Sequence, residues 1–289
     1  VSWLNSASAG EGSAFLGGVS KNFDSNLVLG AGRRLAVEAD EFDRSFLQLT
    51  PDVAVVTSAD ADHLDIYGTH EAVKEAFSQF IDRISAGGAL VIKRGVDVAI
   101  RNSEISVYSY SYDTPADFYA TKIELLSTGH YTFDIVTPFG TIEGCTLGIP
   151  GWVNVENAVA AVALFVLAAR AEGKSVDYDA LKGALANFTG VKRRFEFYVN
   201  TPKAVYMDDY AHHPRELSAA ITSVKRMFPG RKFTAVFQPH LYTRTRDLYT
   251  EFAQALSLAD DVVLLPIYPA RELPIEGICS QIIADRVTV

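Results

Sequence analysis

The run Val205-Tyr206-Met207-Asp208-Asp209-Tyr210-Ala211-His212-His213-Pro214 decides how this chain folds. Its apolar start predicts a short buried strand, and Pro214 is typical of the first position of a helix. A strand, a polar loop and a helix in this order form the repeating unit of a parallel α/β sheet. Ligands of such sheets bind beyond the carboxyl ends of the strands. The acids and imidazoles of this loop are therefore candidate site residues.

A second strand, Ala235–Phe237, leads into Gln238-Pro239-His240-Leu241-Tyr242-Thr243-Arg244-Thr245-Arg246-Asp247. Imidazole and guanidinium groups again follow a strand, which indicates chemistry on a charged substrate. Each group also has a plainer explanation. His213 could simply precede a helix, and one of the two arginines could pair with Asp247 or Glu251. The concentration of such groups is what favours a site.

The composition argues against several classes of protein. The 289 residues suit two domains, and a net charge of −9 argues against a nucleic-acid partner. The longest apolar run, 158–169, is shorter than the roughly 20 residues of a membrane-spanning helix. We therefore expect a buried core helix and no membrane partner. Cys145 and Cys279 are expected to be buried free thiols rather than a disulfide, as in a cytoplasmic protein.

Strand and helix signals alternate along the chain, which predicts an α/β fold. We place a domain boundary near residue 192. Before it, strands are expected at 35–37, 53–56 and 89–92, an antiparallel ribbon within 117–147, and helices after Thr69 and at 155–171 and 178–186. After it, strands are expected at 204–207, 233–237 and 261–265, and helices at 215–228 and 246–258.

Two acidic clusters follow strands in the first domain. They are Glu38-Ala39-Asp40-Glu41-Phe42-Asp43 and Asp60-Ala61-Asp62-His63-Leu64-Asp65. We expect adjacent parallel strands to bring both clusters to one edge of the sheet. Carboxylates there could hold a hard cation such as Mg²⁺, which favours oxygen ligands and shares substrate phosphates. The alternative is a solvated acidic rim with helix caps.

Paired amides and paired guanidinium groups mark two further positions. Asn154 and Asn157 lie one helical turn apart, and amides suit the donor–acceptor edge of a nucleobase. Asn154 could equally be a helix N-cap. Arg193 and Arg194 could clamp a phosphate, although paired surface arginines are usually only solvated.

Together these motifs resemble the Mur ligases, the ATP-dependent amino-acid ligases of peptidoglycan synthesis. The likeness runs through essentially the whole chain and is closest to the alanine-adding members. The motifs that carry it are Glu38-Ala39-Asp40-Glu41 with Ser45-Phe46, Ala61-Asp62-His63-Leu64-Asp65, Asn154 with Asn157, Arg193-Arg194-Phe195-Glu196, Asp208 to Pro214, Phe237 to Asp247, and Tyr268-Pro269-Ala270 with Glu272.

The resemblance implies that 1–192 is a central ATP-binding domain with a mainly parallel sheet, and that 193–289 is a Rossmann-like domain that binds the amino acid. It implies ATP and Mg²⁺ as cofactors, and UDP-N-acetylmuramate and L-alanine as substrates. The lactyl carboxylate would attack the γ-phosphate of ATP to form an acyl phosphate. The amine of L-alanine would then displace phosphate. Such phosphoryl transfer depends mainly on positioning and charge neutralisation.

The resemblance also implies roles for single residues. Glu38 and His63 match the Mg²⁺ ligands and thus the catalytic centre, and Asn154 and Asn157 match the adenine side of the family's site. The positions that match groups around the ATP ribose and phosphates are Arg194, Asp209 and His212. The positions that match groups near the incoming amino acid are Tyr210, His240 and Arg244. We expect these groups to face a cleft between the two domains.

The chain departs from the family pattern in several respects. The sequence contains no G-x-x-G-K-[ST] loop, whose Lys reaches the β- and γ-phosphates, and it has no initiator Met. The end, 282–287, looks like a helix cut short, so we expect a chain truncated at both ends. Without the phosphate-binding loop we expect it not to catalyse ligation by itself. Leu241 replaces an Arg that is frequent in the family. The alternatives are a recycling ligase that adds a preformed tripeptide to the same UDP-sugar, and a non-catalytic nucleotide-binding module.

Overall fold

The computed structural model describes residues 1–9, 12–61 and 64–289, without the side chains of Ala9, Leu64 and Asp65. Asp62 and His63, which the sequence singled out, lie outside the described residues. The chain divides into two compact units, Val1–Lys192 and Arg193–Val289.

The first unit contains five helices and nine strands within its described residues. The helices are α1 (Ser2–Ala9), α2 (Leu64–Tyr67), α3 (His70–Asp82), α4 (Trp152–Ala171) and α5 (Tyr178–Ala186). The strands are β1 (Ser13–Ser20), β2 (Ser25–Val28), β3 (Leu35–Val37), β4 (Val53–Val56), β5 (Ala89–Lys93), β6 (Ser106–Ser111), β7 (Phe118–Leu125), β8 (Tyr131–Thr137) and β9 (Gly140–Thr146).

A six-stranded sheet in the order β4-β5-β6-β7-β8-β9 forms the body of the first unit. Strands β4 to β7 are parallel, whereas β7, β8 and β9 pair antiparallel, with the turn at Thr137–Gly140 joining β8 to β9. The prediction of a mainly parallel sheet with a small antiparallel ribbon is confirmed. The ribbon is continuous with the main sheet because β6 pairs with β7, at Tyr110 and Phe118.

Helix α4 packs against the six-stranded sheet and is apolar on all sides. Val155, Val159 and Val162 are fully buried within the larger of the two core clusters of the first unit. Among the described residues α4 is the one helix whose length and composition would let it cross a membrane, and 61% of its apolar window is buried inside the protein. A helix that is apolar all round is typical of a buried core position, which is the role we expected from the sequence.

A separate three-stranded sheet has the order β2-β1-β3. In it β3 pairs parallel with β1, through Ala14 with Ala36 and Phe15 with Val37. The expectation that β3 and β4 are adjacent strands of one sheet is therefore wrong. Strands β3 and β4 follow one another in the sequence but belong to different sheets, because β3 pairs with the earlier strand β1.

The second unit has its own core. Its helices are α6 (Pro214–Met227), α7 (Tyr242–Leu256) and α8 (Gln281–Ala284), and its strands are β10 (Glu196–Asn200), β11 (Val205–Asp208), β12 (Thr234–Phe237) and β13 (Asp261–Leu264). Strands β12 and β13 pair parallel, and β10 and β11 form an antiparallel pair. Phe252 and Leu256 of α7 are buried against Phe237 of β12 in this core.

Local signals in the sequence placed several boundaries correctly. Thr69 is the N-cap of α3, since its side chain accepts a hydrogen bond from the Ala72 amide, and the prediction is confirmed.

Both cysteines are free, as expected. Cys145 is buried, but Cys279 is exposed, so the expectation of two buried thiols is wrong for Cys279.

Candidate functional site

The loop after β11 is organised around the carboxylate of Asp209. Its two oxygens accept hydrogen bonds from the backbone N–H groups of Phe195, at 3.0 Å, and Ala211, at 2.9 Å. Burial raises the pKa of Asp209, although these two donors and nearby Arg194 act in the opposite direction. Asp209 thus fixes the course of the polar loop and lies within the field of a guanidinium group.

Tyr210 presents its ring to two arginines at the start of the second unit. The guanidinium carbon of Arg193 lies 4.8 Å from the ring centroid, and that of Arg194 lies 5.8 Å from it. The ring remains 46% exposed, with the imidazole of His212 edge-on at 5.4 Å. The attraction between a cation and an aromatic face is only modest at exposed sites. The arrangement still concentrates positive charge on a surface that an anionic ligand can reach.

Glu216 ties these groups together, and sequence reasoning had given it no role. One of its oxygens accepts the backbone N–H groups of His212, at 2.9 Å, and His213, at 3.2 Å. The carboxylate also lies 3.9 Å from Arg194 and 3.4 Å from the His212 imidazole. The signal was present in the sequence, because a Glu three residues after a capping residue is half of a capping box.

His213 and Arg246 follow their plainer explanations. His213 is the N-cap of α6, with Pro214 in its first turn and Glu216 completing the capping box. Arg246 forms a bidentate pair with Asp247, at 2.7 Å and 3.1 Å. Both alternatives raised by the sequence are confirmed.

His212 has a defined orientation. Its Nδ1 lies 2.9 Å from the carbonyl oxygen of Tyr210. A carbonyl oxygen only accepts, so Nδ1 carries the proton, and in the neutral ring Nε2 is left as an acceptor.

His240 lies at the carboxyl end of β12 and stacks on Tyr268. The ring centroids are 5.6 Å apart with planes inclined by 19°. Burial lowers the pKa of His240, the charges of Arg244 and His212 lower it further, and Glu272 acts in the opposite direction. The imidazole is therefore neutral near pH 7. These effects also place Arg244, His212 and Glu272 in the electrostatic neighbourhood of His240.

In the first unit Glu38 directly follows β3, and its side chain forms a hydrogen bond with the backbone of β1. Its Oε2 accepts the backbone N–H of Gly17 at 2.8 Å. A Cβ at position 17 would stand 2.6 Å from Oε1 of Glu38, so only a glycine leaves room for the carboxylate. Glu38 is otherwise exposed, which suits an oxygen ligand for a hard cation.

Asn154 and Asn157 lie in the first turns of α4. Gly151, not Asn154, holds the N-cap position, so the alternative of Asn154 as an N-cap is wrong. The Asn154 side chain instead donates to the carbonyl of Pro150 at 2.6 Å, and Asn157 is exposed. Between them in sequence, Glu156 turns inward.

The buried carboxylate of Glu156 pairs with the ammonium of Lys93 at 2.7 Å. Lys93 is the last residue of β5, so the ion pair fixes the start of α4 to the carboxyl end of the sheet. Sequence reasoning missed this pair because its members are 63 residues apart.

The structure brings the predicted residues of the second unit together. Electrostatic or ring contacts link the members of the former group, which are Arg194, Asp209, Tyr210, His212, His240 and Arg244. In the described part of the first unit no hydrogen bond joins Glu38 to Asn154 or Asn157, and His63 lies outside that part.

Acids, imidazoles and guanidinium groups beyond the strand ends are the arrangement in which α/β proteins commonly bind charged small molecules. Family models make the class specific. The Mur ligase middle domain matches residues 33–165, and the Mur ligase glutamate ligase domain matches residues 193–289. The chain belongs to the Mur ligase family.

Curated relatives point to one branch of the family. A UDP-N-acetylmuramate–L-alanine ligase of Parabacteroides distasonis is 51% identical over 278 residues, which cover 96% of this chain and 59% of the relative. The ligase of the same name from Porphyromonas gingivalis is 48% identical over 277 residues, which cover 95% of this chain and 59% of the relative. The chain thus spans about three-fifths of the length of the relatives it matches.

Solved structures show the same fold. A UDP-N-acetylmuramate–alanine ligase of Thermotoga maritima superposes with a TM-score of 0.76 at 24% identity, covering 98% of this chain and 60% of that one. A murein peptide ligase of Psychrobacter arcticus gives 0.60 at 21% identity, covering 91% of this chain and 59% of that one. These likenesses support the mixed α/β fold with a parallel sheet.

Proposed function

We propose that this chain provides the ATP-binding and amino-acid-binding parts of a ligase that joins L-alanine to UDP-N-acetylmuramate in peptidoglycan synthesis. The observation that carries the proposal is the cluster of cationic, imidazole and carboxylate groups around Tyr210 and Glu216. It is supported by 51% identity to a ligase of that name over 96% of the chain. In this proposal 1–192 is the central ATP-binding domain and 193–289 the amino-acid-binding domain.

The first unit would hold the metal and the adenine. Glu38 would bind Mg²⁺ with one carboxylate oxygen while the other keeps the Gly17 amide, and His63 would be the second protein ligand. When bound, Mg²⁺ neutralises charge on the transferring phosphoryl group. Asn154 and Asn157 would present their amides to the adenine edge. The Lys93–Glu156 pair fixes the helix on which they lie.

The second unit would hold the ribose, the phosphates and the amino acid. Arg194 supplies positive charge for phosphate oxygens, and Asp209 and the free Nε2 of His212 supply acceptors for ribose hydroxyls. Arg244 would pair with the carboxylate of L-alanine. His240, neutral near pH 7, would accept a hydrogen bond from its amine, and the exposed Tyr210 would complete the amino-acid side.

A lysine-bearing phosphate-binding loop would be required in addition, because no G-x-x-G-K-[ST] motif occurs in these 289 residues. We therefore propose that the chain alone does not turn over. Because the proposed reaction consumes ATP, we also propose that the protein works in the cytoplasm.

A graft tests the proposal. In the grafted ligase, the matching 278 residues of the Parabacteroides distasonis relative are replaced by this chain. We expect His212→Ala to raise KM for ATP, and Arg244→Ala to raise KM for L-alanine, each by about tenfold, the effect of one charged hydrogen bond. Asp97→Asn, which alters an exposed carboxylate paired with Lys74, is the control. Equal effects of both variants on both KM values would contradict these assignments.

The alternative is a ligase that adds a preformed tripeptide. The 51% identity to a UDP-N-acetylmuramate–L-alanine ligase over 96% of this chain favours alanine. Competition between L-alanine and the tripeptide in the grafted ligase decides between them. A non-catalytic nucleotide-binding module would bind ATP in the graft without any turnover.

A further inference from the structure

Glu272 lies in the segment after β13 and reaches across to the first turn of α7. Its Oε2 accepts the backbone N–H of Thr243 at 3.0 Å, and its Oε1 accepts the hydroxyl of the same residue. We propose that Glu272 is a positioning residue that holds the start of α7, and with it Arg244 and His240, in place for the amino acid. This inference rests on the proposed function.

Helix α7 needs a cap from outside because its own N-cap residue supplies none. Leu241 occupies that position with φ of 71° and ψ of 139°, and its side chain makes no capping hydrogen bond. This backbone conformation is unusual for a branched residue and persists only when its surroundings enforce it. The first N–H groups of any helix need partners, and a carboxylate is favourable there because of the helix dipole.

Hydrogen bonds and ring stacking fasten the Glu272 segment to the loop before α7. The Tyr268 carbonyl accepts the Leu241 N–H at 2.9 Å, and the Tyr268 N–H donates to the Pro239 carbonyl at 2.8 Å. The Tyr268 ring stacks on His240. The strained Leu241 is therefore held from both directions along the chain. Tyr268 binds the loop that carries His240, and Glu272 binds the first turn of the helix that carries Arg244.

The charge of Glu272 matters as well as its shape. The negative charge of Glu272 raises the pKa of His240, whereas the charges of Arg244 and His212 lower it. Replacing the carboxylate by an amide keeps the size of the side chain but weakens the hydrogen bonds to Thr243 and removes the negative charge. We therefore expect this substitution to loosen the first turn of α7 and, at the same time, to lower the pKa of His240.

The test is an L-alanine titration of the 289-residue chain, followed by NMR at the backbone amides of α7 and the His240 ring. We expect saturable shifts in the wild type, and in Glu272→Gln a half-saturating concentration about tenfold higher, the effect of one charged hydrogen bond. The same variant should lower the pKa of His240 further, since a carboxylate that favours its charged form is gone. Thr243→Val should weaken L-alanine binding, whereas Thr243→Ser, which keeps the hydroxyl, should retain it.

Asp247→Asn is the matched control, because it neutralises another carboxylate on the same helix, one that pairs with Arg246. It should leave the L-alanine titration unchanged. An unchanged half-saturating concentration in Glu272→Gln overturns the inference, and so does a folded wild type that shows no response to L-alanine. Turnover of the wild-type grafted ligase is measured separately, so the failure of the proposed function is recognised independently of either result.

Discussion

The interaction of Arg34 with Glu172 offers a quantitative test of what holds the first unit together. The Arg34 side chain is 8% exposed and binds both Glu172 oxygens, at 2.8 Å and 3.1 Å. Its third contact is the buried Asn5 of α1, at 3.0 Å. Since Glu172 is the C-cap of α4, this single guanidinium joins α1, the start of β3 and the end of the core helix.

The magnitude follows from the electrostatics of Glu172. The hydrogen bond from Arg34 is the main cause that lowers the pKa of Glu172 from 4.5 to about 2, with a further contribution from Lys174. A shift of that size corresponds to about 3 kcal/mol. The Glu172 side chain is 32% exposed, so solvent screens part of the interaction, and we expect Glu172→Gln to lower the free energy of unfolding by about 1–2 kcal/mol.

The pH dependence has a definite sign. A lowered pKa in the folded state stabilises the protein fully above pH 4.5, and the contribution disappears as the pH falls towards about 2. The difference between wild type and Glu172→Gln should therefore be largest near pH 7 and should shrink below pH 4.5.

Urea unfolding followed by tryptophan fluorescence measures this difference in the first unit alone, because both tryptophans of the chain, Trp3 and Trp152, lie there. Asp97→Asn is the control, since that carboxylate is 89% exposed and should have no measurable effect. A Glu172→Gln variant as stable as the control, or a difference that stays constant with pH, would refute the reasoning.

Three further substitutions test local features. Thr69→Ala removes the acceptor for the Ala72 amide and should destabilise the first unit by about 1 kcal/mol in the same urea assay. Phe252→Ala empties a site that is 1% exposed and should destabilise the second unit by about 3–5 kcal/mol, measured by amide hydrogen exchange; a loss below 1 kcal/mol would contradict the assigned core. Gly17→Ala should displace the Glu38 carboxylate and raise the Mg²⁺ concentration that half-saturates the grafted ligase, with unchanged stability.

Elements specified by local signals could be predicted from the sequence. Thr69 begins α3, and the predicted helix 178–186 matches α5 at both ends. The predicted start of α7 was four residues late, because its helix begins after a strained Leu241 and is capped by Glu272. No pattern within the helix reveals a cap supplied from 29 residues away.

Relations between distant segments were the least predictable. The position of β3 beside β1 depends on which strands pair, and hydrophobic patterns do not encode pairing partners. Residues of the second unit could be grouped because the polar loops after β11 and β12 each follow a short apolar strand, a signal that is local in the sequence. Glu216 has a local signal, its capping-box spacing from His213, but its contacts with Arg194 and the His212 imidazole depend on the fold.

The most direct test of the central claim is phosphate release by the grafted ligase with each substrate omitted in turn. The proposed function predicts release that requires ATP, UDP-N-acetylmuramate and L-alanine together, with one UDP-N-acetylmuramoyl-L-alanine formed per phosphate. Release that proceeds without L-alanine, or that the tripeptide supports as well as L-alanine does, would contradict it.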